Sequence, residues 1–341
     1  MKSSPSTLVL ILLSFMLTIP VLAGTLSREE TLSLPAGGLE RLILSNGSGL
    51  LECVAEDREN IHVELVFKVK SRKRDKAQRL LEESSLSVSR EAGELRLAPD
   101  ASSSRVNVEM LVRLPFGLEV NAEVGSGDLY VRDLRGPLYL EAGSGRIDGR
   151  DLVGDVKVKL GSGEISLRDV KGAVRIQAGS GDIKLKRIVS CELKASSGNV
   201  EINSVLGLCR VKTNSGDVYI RKVAGPTEIE TGSGDIEASG LMDRVRSESN
   251  SGDQEISGLG RPGQNLRIRS SSGDLDLSFL IGASYALELE TTSGDVDFRL
   301  PIALHEVTRR RLEGSIGEAS DRARIETSSG DIRICATEER P

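Results

Sequence analysis

Carboxylates are the first groups in this chain whose spacing could do chemistry. Asp128, Asp182, Asp217, Asp235, Asp253, Asp274, Asp295 and Asp331 each follow a Ser-Gly pair. Stacked at strand spacing, about 4.8 Å, neighbouring carboxylates would repel by about 1 kcal/mol per pair in water. Calcium relieves such repulsion in β-helices with Gly-Gly-x-Gly-x-Asp turns. Here there is one turn of this kind per repeat, and Arg146, Glu164 and Asn199 interrupt the column. The turn chemistry points instead to Asp accepting backbone hydrogen bonds at a bend where Gly supplies a permissive backbone. No metal or other cofactor is expected.

Basic residues form a second set. Arg132, Arg150, Arg168 and Lys186 share one repeat position, and Asp133, Asp151 and Asp169 directly follow the first three. Lys157, Lys159, Arg175, Lys194, Arg210 and Lys212 have outward parity on another strand face, and Arg309, Arg310 and Arg311 lie in an interrupted stretch. Together they offer a binding strip for an acidic polymer such as an anionic glycan. The competing reading is a solvated sheet face with charges in partial balance, whose pairs contribute little stability. Tyr130 and Tyr219, the aromatics that could grip a sugar ring, share a column five repeats apart.

Nucleophilic and redox chemistry have less to stand on. Cys191 and Cys209 occupy the same inward position in successive repeats. Export would favour a bridge, while strand spacing exceeds the 3.5–4.5 Å that disulfide Cβ atoms prefer. Cys53 and Cys335 lie near opposite ends of the chain. His62 and His305 show no metal-ligand spacing. The Gly-Ser-Gly matches lack a nucleophile elbow, and no helix follows them to make a phosphate loop. The chain is expected not to be an enzyme.

The elements that position these residues follow from the repeat itself. The glycine of the Ser-Gly-Asp turn recurs at 127, 145, 163, 181, 198, 216, 234, 252, 273, 294 and 330, mostly 18 residues apart. Val156, Val158 and Leu160 alternate before Gly163, and Ile165 and Leu167 alternate after it. Period-two alternation marks strands with one buried face, and each change of phase marks a bend. The fold class expected is all-β: a parallel β-solenoid, or β-helix, of coils about 18 residues long. Stacked Val, Ile and Leu would fill its interior, which suits a chain with 3% aromatics and no Trp.

Solenoid ends need cover. Residues 24–110 are expected to form an N-terminal cap and a diverged first coil, with Leu42, Leu44 and Asn46-Gly47-Ser48-Gly49 in that coil. Arg72 to Glu83 reads as one short helix, and the segments around Leu86 and Leu95 as a hairpin. Residues 111–341 form the repeat region, with an irregular insertion near 301–324 and the last coil at Gly330. Residues 1–23 read as a signal peptide: Lys2, an apolar run from Leu8 to Leu17, and cleavage after Ala23. Net charge is −6, so no global positive field favours nucleic acid. No second hydrophobic segment offers a membrane anchor.

The Ser-Gly-Asp-(Ile/Val/Leu)-x-(Ile/Val/Leu) turns, the Asn-Gly first coil and the exported N-terminus resemble an exported bacterial family of proposed adhesins of unknown function. The resemblance spans roughly residues 31–335. It implies a β-solenoid in the periplasm, at the cell surface or secreted, and it brings no catalytic residues. The function expected is a non-enzymatic scaffold that binds an envelope polymer or protein. Two alternatives stay open: an envelope stress-signalling or spacer component, and a carbohydrate-active β-helix enzyme.

Overall fold

The structure is a computed structural model that describes residues 12–16, 20–21, 25–308 and 310–338. The expected cleavage point after Ala23 lies outside them. The fold is all-β and β-solenoid-like, with one helix, α1 (Arg74–Glu82), among the described residues. It divides into two compact units, Met1–Lys157 and Val158–Pro341.

In the first unit, Arg41–Ala55 pairs in parallel with Glu119–Arg132, which sets Gly49 opposite Gly127 across a long gap in sequence. Glu119–Arg132 pairs in turn with Leu138–Val153, Val120 opposite Leu138. The other edge of Arg41–Ala55 carries strands from Glu94–Asp100 and Val106–Leu114, also parallel. There the pairing changes sense. Asn60–Lys70 runs antiparallel to both Val106–Leu114 and Thr25–Pro35. Its alternating Ile61, Val63, Leu65, Phe67 and Val69 are all buried, which is why this strand lies at the centre of the antiparallel layer. Helix α1 buries Ala77 and Leu81. The Arg28 guanidinium lies 4.7 Å from the Phe67 ring centre and donates to the carbonyls of Leu81 and Ser84, joining helix to sheet. Leu12–Met16, inside the expected leader, pairs antiparallel with residues 29–33.

The second unit stacks coils in which Cys191 lies opposite Cys209, Val200 opposite Val218, and Ile229 opposite Ser247. One corner is a column of glycines. A Cβ at Gly216 (φ 108°) would lie 2.2 Å from the carbonyl oxygen of Gly198, so the stack admits no side chain there. A second corner bends through left-handed residues that are not glycine: Asp169 (φ 58°), Arg187 (φ 53°), Ser204 (φ 66°) and Lys222 (φ 61°). In the first unit Asp133 and Asp151 have the same conformation at the same repeat position. These aspartates, read from sequence as charge partners of the preceding arginines, also supply a backbone conformation that Asp tolerates better than most residues.

The final coils depart from chain order. Sequence order puts the Gly330 coil last, but Leu266–Ser272 pairs with Asp321–Ser329, and Asp321–Ser329 pairs on its other edge with Tyr285–Ser293. The Gly330 coil therefore lies between those of Gly273 and Gly294. The connection from Leu280 to Tyr285 spans two strand spacings, about 10 Å, and the returning chain fills the gap. The stretch expected as an irregular insertion is largely a hairpin: Ala303–Val307 pairs with Arg311–Ile316, which pairs antiparallel with residues 285–290. The missed signal is the alternation of Leu312, Gly314 and Ile316, which lacks the Ser-Gly-Asp marker.

Buried aliphatics fill both units, with Phe67, Phe279 and Tyr285 the largest fully buried side chains. A polar island interrupts the second core. The Gln264 amide donates to the Leu241 carbonyl at 2.9 Å, and the Tyr285 hydroxyl donates to the Gln264 carbonyl at 2.8 Å. Burial pushes the Tyr285 phenol up, so it remains a donor. Its ring meets Phe279 edge-on at 5.4 Å.

Candidate functional site

The aspartate column has a use that reaches across coils. The side-chain oxygen of a turn Asp accepts the backbone N–H of its counterpart in the next coil: Asp235 N–H to Asp217 and Asp274 N–H to Asp253, at 3.0 and 2.8 Å. Asn199 serves equally, accepting from Asp217 at 3.0 Å, which explains why Asn is tolerated there. The column also records the altered coil order, since Asp331 N–H donates to Asp274 and Asp295 N–H donates to Asp331. No group of three or more His, Cys, Asp or Glu side chains among the described residues is arranged to hold a metal.

The structure distributes the basic candidates over several places. In the first unit Arg132 lies opposite Arg150 and pairs with Glu52, while Lys157 sits 5.9 Å from the Tyr139 ring centre. In the second, Arg168 lies opposite Lys186 and Lys194 opposite Lys212. Lys159 also belongs to the second unit. Arg210 and Lys212 pair across coils with Glu228 and Glu230, each at 2.7 Å. Arg309 lies outside the described residues. The Arg310 N–H donates to the Thr308 hydroxyl at the hairpin turn, and Arg311 pairs with Glu313 and, at 3.7 Å, with Glu288. Carboxylates thus balance Arg132, Arg210, Lys212 and Arg311.

A concave site lies elsewhere in the second unit, where the coil order changes. Four adjacent strands, Val245–Ser251, Leu266–Ser272, Asp321–Ser329 and Tyr285–Ser293, line a trough of about 510 Å³. Glu248, Arg269, Glu326 and Glu290 occupy one outward column along it. Asn250, Ser271, Ser328 and Thr292 stand at the corner, and Ser249, Ser270 and Thr327 lie between. Each strand contributes because period-two parity puts its charged residue and its corner residue on the outside, with a small hydroxyl side chain turned inward.

Two details mark the lining of the trough. Glu326 is half-buried: burial works against its charge, but hydrogen bonds from Arg269 and Arg324 outweigh that and lower its pKa. The Ser270 hydroxyl is 95% buried with its residue, yet it has no hydrogen-bond partner among the described residues. Its column neighbours are satisfied, Ser249 donating to the Ser251 carbonyl at 3.0 Å and Thr327 to the Gly273 carbonyl at 3.4 Å. The orphaned hydroxyl is turned inward, so it is a cost to the core and not a contact for a ligand in the trough. Sequence reasoning missed the trough because its strands are not consecutive in the chain.

A second pocket, about 420 Å³, lies among Arg261, Pro262, Leu280, Ile281, Ser284 and Asp321. Asp321 there accepts the Gly263 N–H at 2.9 Å, a loop-holding role.

Among solved structures, a proposed cell adhesion protein from Clostridium sporogenes matches at 10% identity and TM-score 0.20, covering 91% of this chain and 100% of that one. A proposed adhesin from Bacteroides fragilis matches at 10% identity and TM-score 0.31, covering 91% and 97%. No curated protein matches the chain. The Toastrack DUF4097 family model matches residues 39–265 and again 248–335, taking in the first coil, the repeat region and the out-of-order coils. The chain belongs to the Toastrack DUF4097 family.

Proposed function

We propose that this chain is an exported, non-enzymatic scaffold that binds a polar polymer of the cell envelope along the trough of its second unit. The observation that carries the reading is a groove lined by glutamate and arginine in one outward column and by Asn250, Ser271, Ser328 and Thr292 at the corner. Hydroxyl and charge columns repeat there at strand spacing, about 4.8 Å, suiting an extended ligand with many donors and acceptors, a glycan above all. Export rests on the N-terminal sequence. Among the described residues no helix is long and apolar enough to cross a membrane.

The test is co-sedimentation of the processed chain with protease-treated envelopes of the source cells, comparing wild type with Ser271→Ala and Arg269→Ala. Ser271→Ala is a surface change, so it should leave thermal stability unchanged. It should weaken binding severalfold, and Arg269→Ala should weaken it further. Wild-type binding untouched by either change would remove the trough from the reading. Binding lost after protease would replace the glycan with a protein partner.

A further inference from the structure

The second unit carries an exposed apolar column at a different corner of its coils. The register pairs Ile188 with Val205, Val205 with Val223, and Val223 with Leu241, all pointing inward. The residue after each lies at the outer bend: Val189, Leu206, Ala224 and Met242. Their backbones follow the same ladder, with the N–H of Leu206, Ala224 and Met242 donating to Ile188, Val205 and Val223. All four are exposed, Leu206 at 71%. Single exposed apolar residues are ordinary, but four in successive coils make a continuous ridge about 14 Å long.

The surroundings of the ridge say what it meets. The same column continues one coil earlier as Lys171, since Val170 lies opposite Ile188. Arg187 and Lys222 stand two residues before Val189 and Ala224, and Arg244 two residues after Met242. Within three residues of the column, seven Lys and Arg side chains outnumber Asp169, Glu192 and Asp243 in a chain whose net charge is −6. Arg187 is already held by Asp169 at 2.5 Å, whereas Lys171, Lys186 and Lys222 point into solvent as exposed side chains. An apolar edge bordered by cations on an otherwise acidic protein complements a surface that is apolar inside and anionic outside. A second copy of this ridge would bring its cations against the same cations when the two lie antiparallel.

We infer that the Val189–Leu206–Ala224–Met242 ridge docks on an anionic lipid bilayer, its aliphatic side chains entering the headgroup boundary while Lys171 and Lys222 meet lipid phosphates. The physics is that of peripheral membrane segments, in which shallow apolar insertion and basic residues act together and neither suffices alone. The ridge is separate from the trough, so either surface can fail without the other.

The experiment uses the processed chain, its N-terminus determined, mixed with vesicles of phosphatidylcholine alone or with one-third phosphatidylglycerol, at low and physiological salt. Sedimentation with the anionic vesicles, falling with salt, and little with the neutral ones is the expected result. Leu206→Ser with Met242→Ser should lower partitioning at least tenfold, and Lys171→Glu with Lys222→Glu should do the same. Both pairs are surface changes, and unchanged thermal melting and envelope-glycan binding would show that fold and trough are intact. Equal binding to neutral vesicles, no binding to either, or full binding by the serine variant would overturn the inference. So would tight binding of soluble polyphosphate that ignores the serine changes. A dimer abolished by those changes, without vesicle binding, would give the ridge to a second copy.

Discussion

The coils from Gly181 to Gly252 and the three that follow are built from one repeat, yet they assemble differently. In the first group neighbours in sequence are neighbours in space, and cross-coil ion pairs such as Arg210–Glu228 join consecutive coils. In the second, the last coil of the chain lies between two earlier ones, so interactions across coils join residues far apart in sequence. Arg333 is thereby placed near Asp274, Asp276 and Asp331, at 2.9, 3.5 and 3.2 Å, relieving the acidic column where it is densest. Glu326 is likewise placed between Arg269 and Arg324. The same coil grammar gives a uniform wall when stacked in order, and a distinctive charged trough when the order changes.

The largest effect should come from the rule both regions share. Gly216→Ala and Gly330→Ala each put a Cβ 2.2 Å from a carbonyl oxygen of the neighbouring coil, at φ of 108° and 145°. Backbone must move in either case, and each should cost about 3 kcal/mol or more in denaturant unfolding. Gly258→Ala is the control: its φ is 73°, but nothing lies within 4 Å of the added methyl, so about 1 kcal/mol is expected. Equal losses at all three sites would show that φ alone, and not coil contact, sets the constraint.

The next effect tests the altered order directly. Ending the chain after Gly317 removes the inserted coil and leaves four strand edges bare, along Leu266–Ser272, Leu275–Leu280, Tyr285–Ser293 and Val296–Arg299. Hydrogen exchange should accelerate in all four segments while amides of the Gly198 to Gly234 coils stay protected. If only the segment from residue 285 onward accelerated, the Gly330 coil would be terminal and the trough would not exist as described.

The sequence made the repeat, the inward aliphatic set, the helix and the glycine corner legible, because each depends on local period or turn chemistry. Neither the place of the Gly330 coil nor the trough was legible. Position in a solenoid is fixed by which edges remain open, and residues 294 and 330 carry the same turn. The basic residues were visible one by one, but their cross-coil partners Glu228, Glu230 and Glu52 become evident only in register. The apolar ridge was present in sequence as Val189, Leu206, Ala224 and Met242. Attention to inward positions hid it, since its residues sit one step past the strand's last buried side chain.

A smaller effect concerns acid. Arg210 holds Glu228, and Arg187 holds Asp169, below their usual pKa; Glu326 is lowered because two arginine hydrogen bonds outweigh burial. A depressed folded-state pKa contributes stability above the unfolded value, about 4, and that contribution is lost as pH falls through the lower folded value. Melting temperature should therefore fall as pH drops from about 5 towards 3. These groups are largely exposed, so each share is modest. Glu326→Gln should flatten the slope more than Glu228→Gln, since two arginines hold Glu326. An identical slope in both variants would mean that the out-of-order coils gain nothing special from their ion pairs.

The smallest effect falls on a pair inside the ordered coils. Cys191 and Cys209 face each other in register with sulfurs 3.5 Å apart, buried and unbridged. Their hydrogen bond, then burial, raises the Cys209 pKa, so Cys209 is not a ready thiolate. As unbridged thiols they act as small apolar side chains in a stack that otherwise holds Val174 and Thr227. Replacing both with Val conserves shape and should change stability by under about 1 kcal/mol. A bridge closing a loop of this length would instead contribute about 3 kcal/mol, and its removal would be plain in denaturant unfolding of protein produced in an oxidising compartment. A loss of that size, with a two-dalton mass gain on reduction of wild type, would show that oxidation closes the pair despite strand spacing wider than a disulfide prefers. The ordered coils would then be held by a covalent link that the out-of-order coils lack, and the comparison between the two regions would turn on chemistry as well as order.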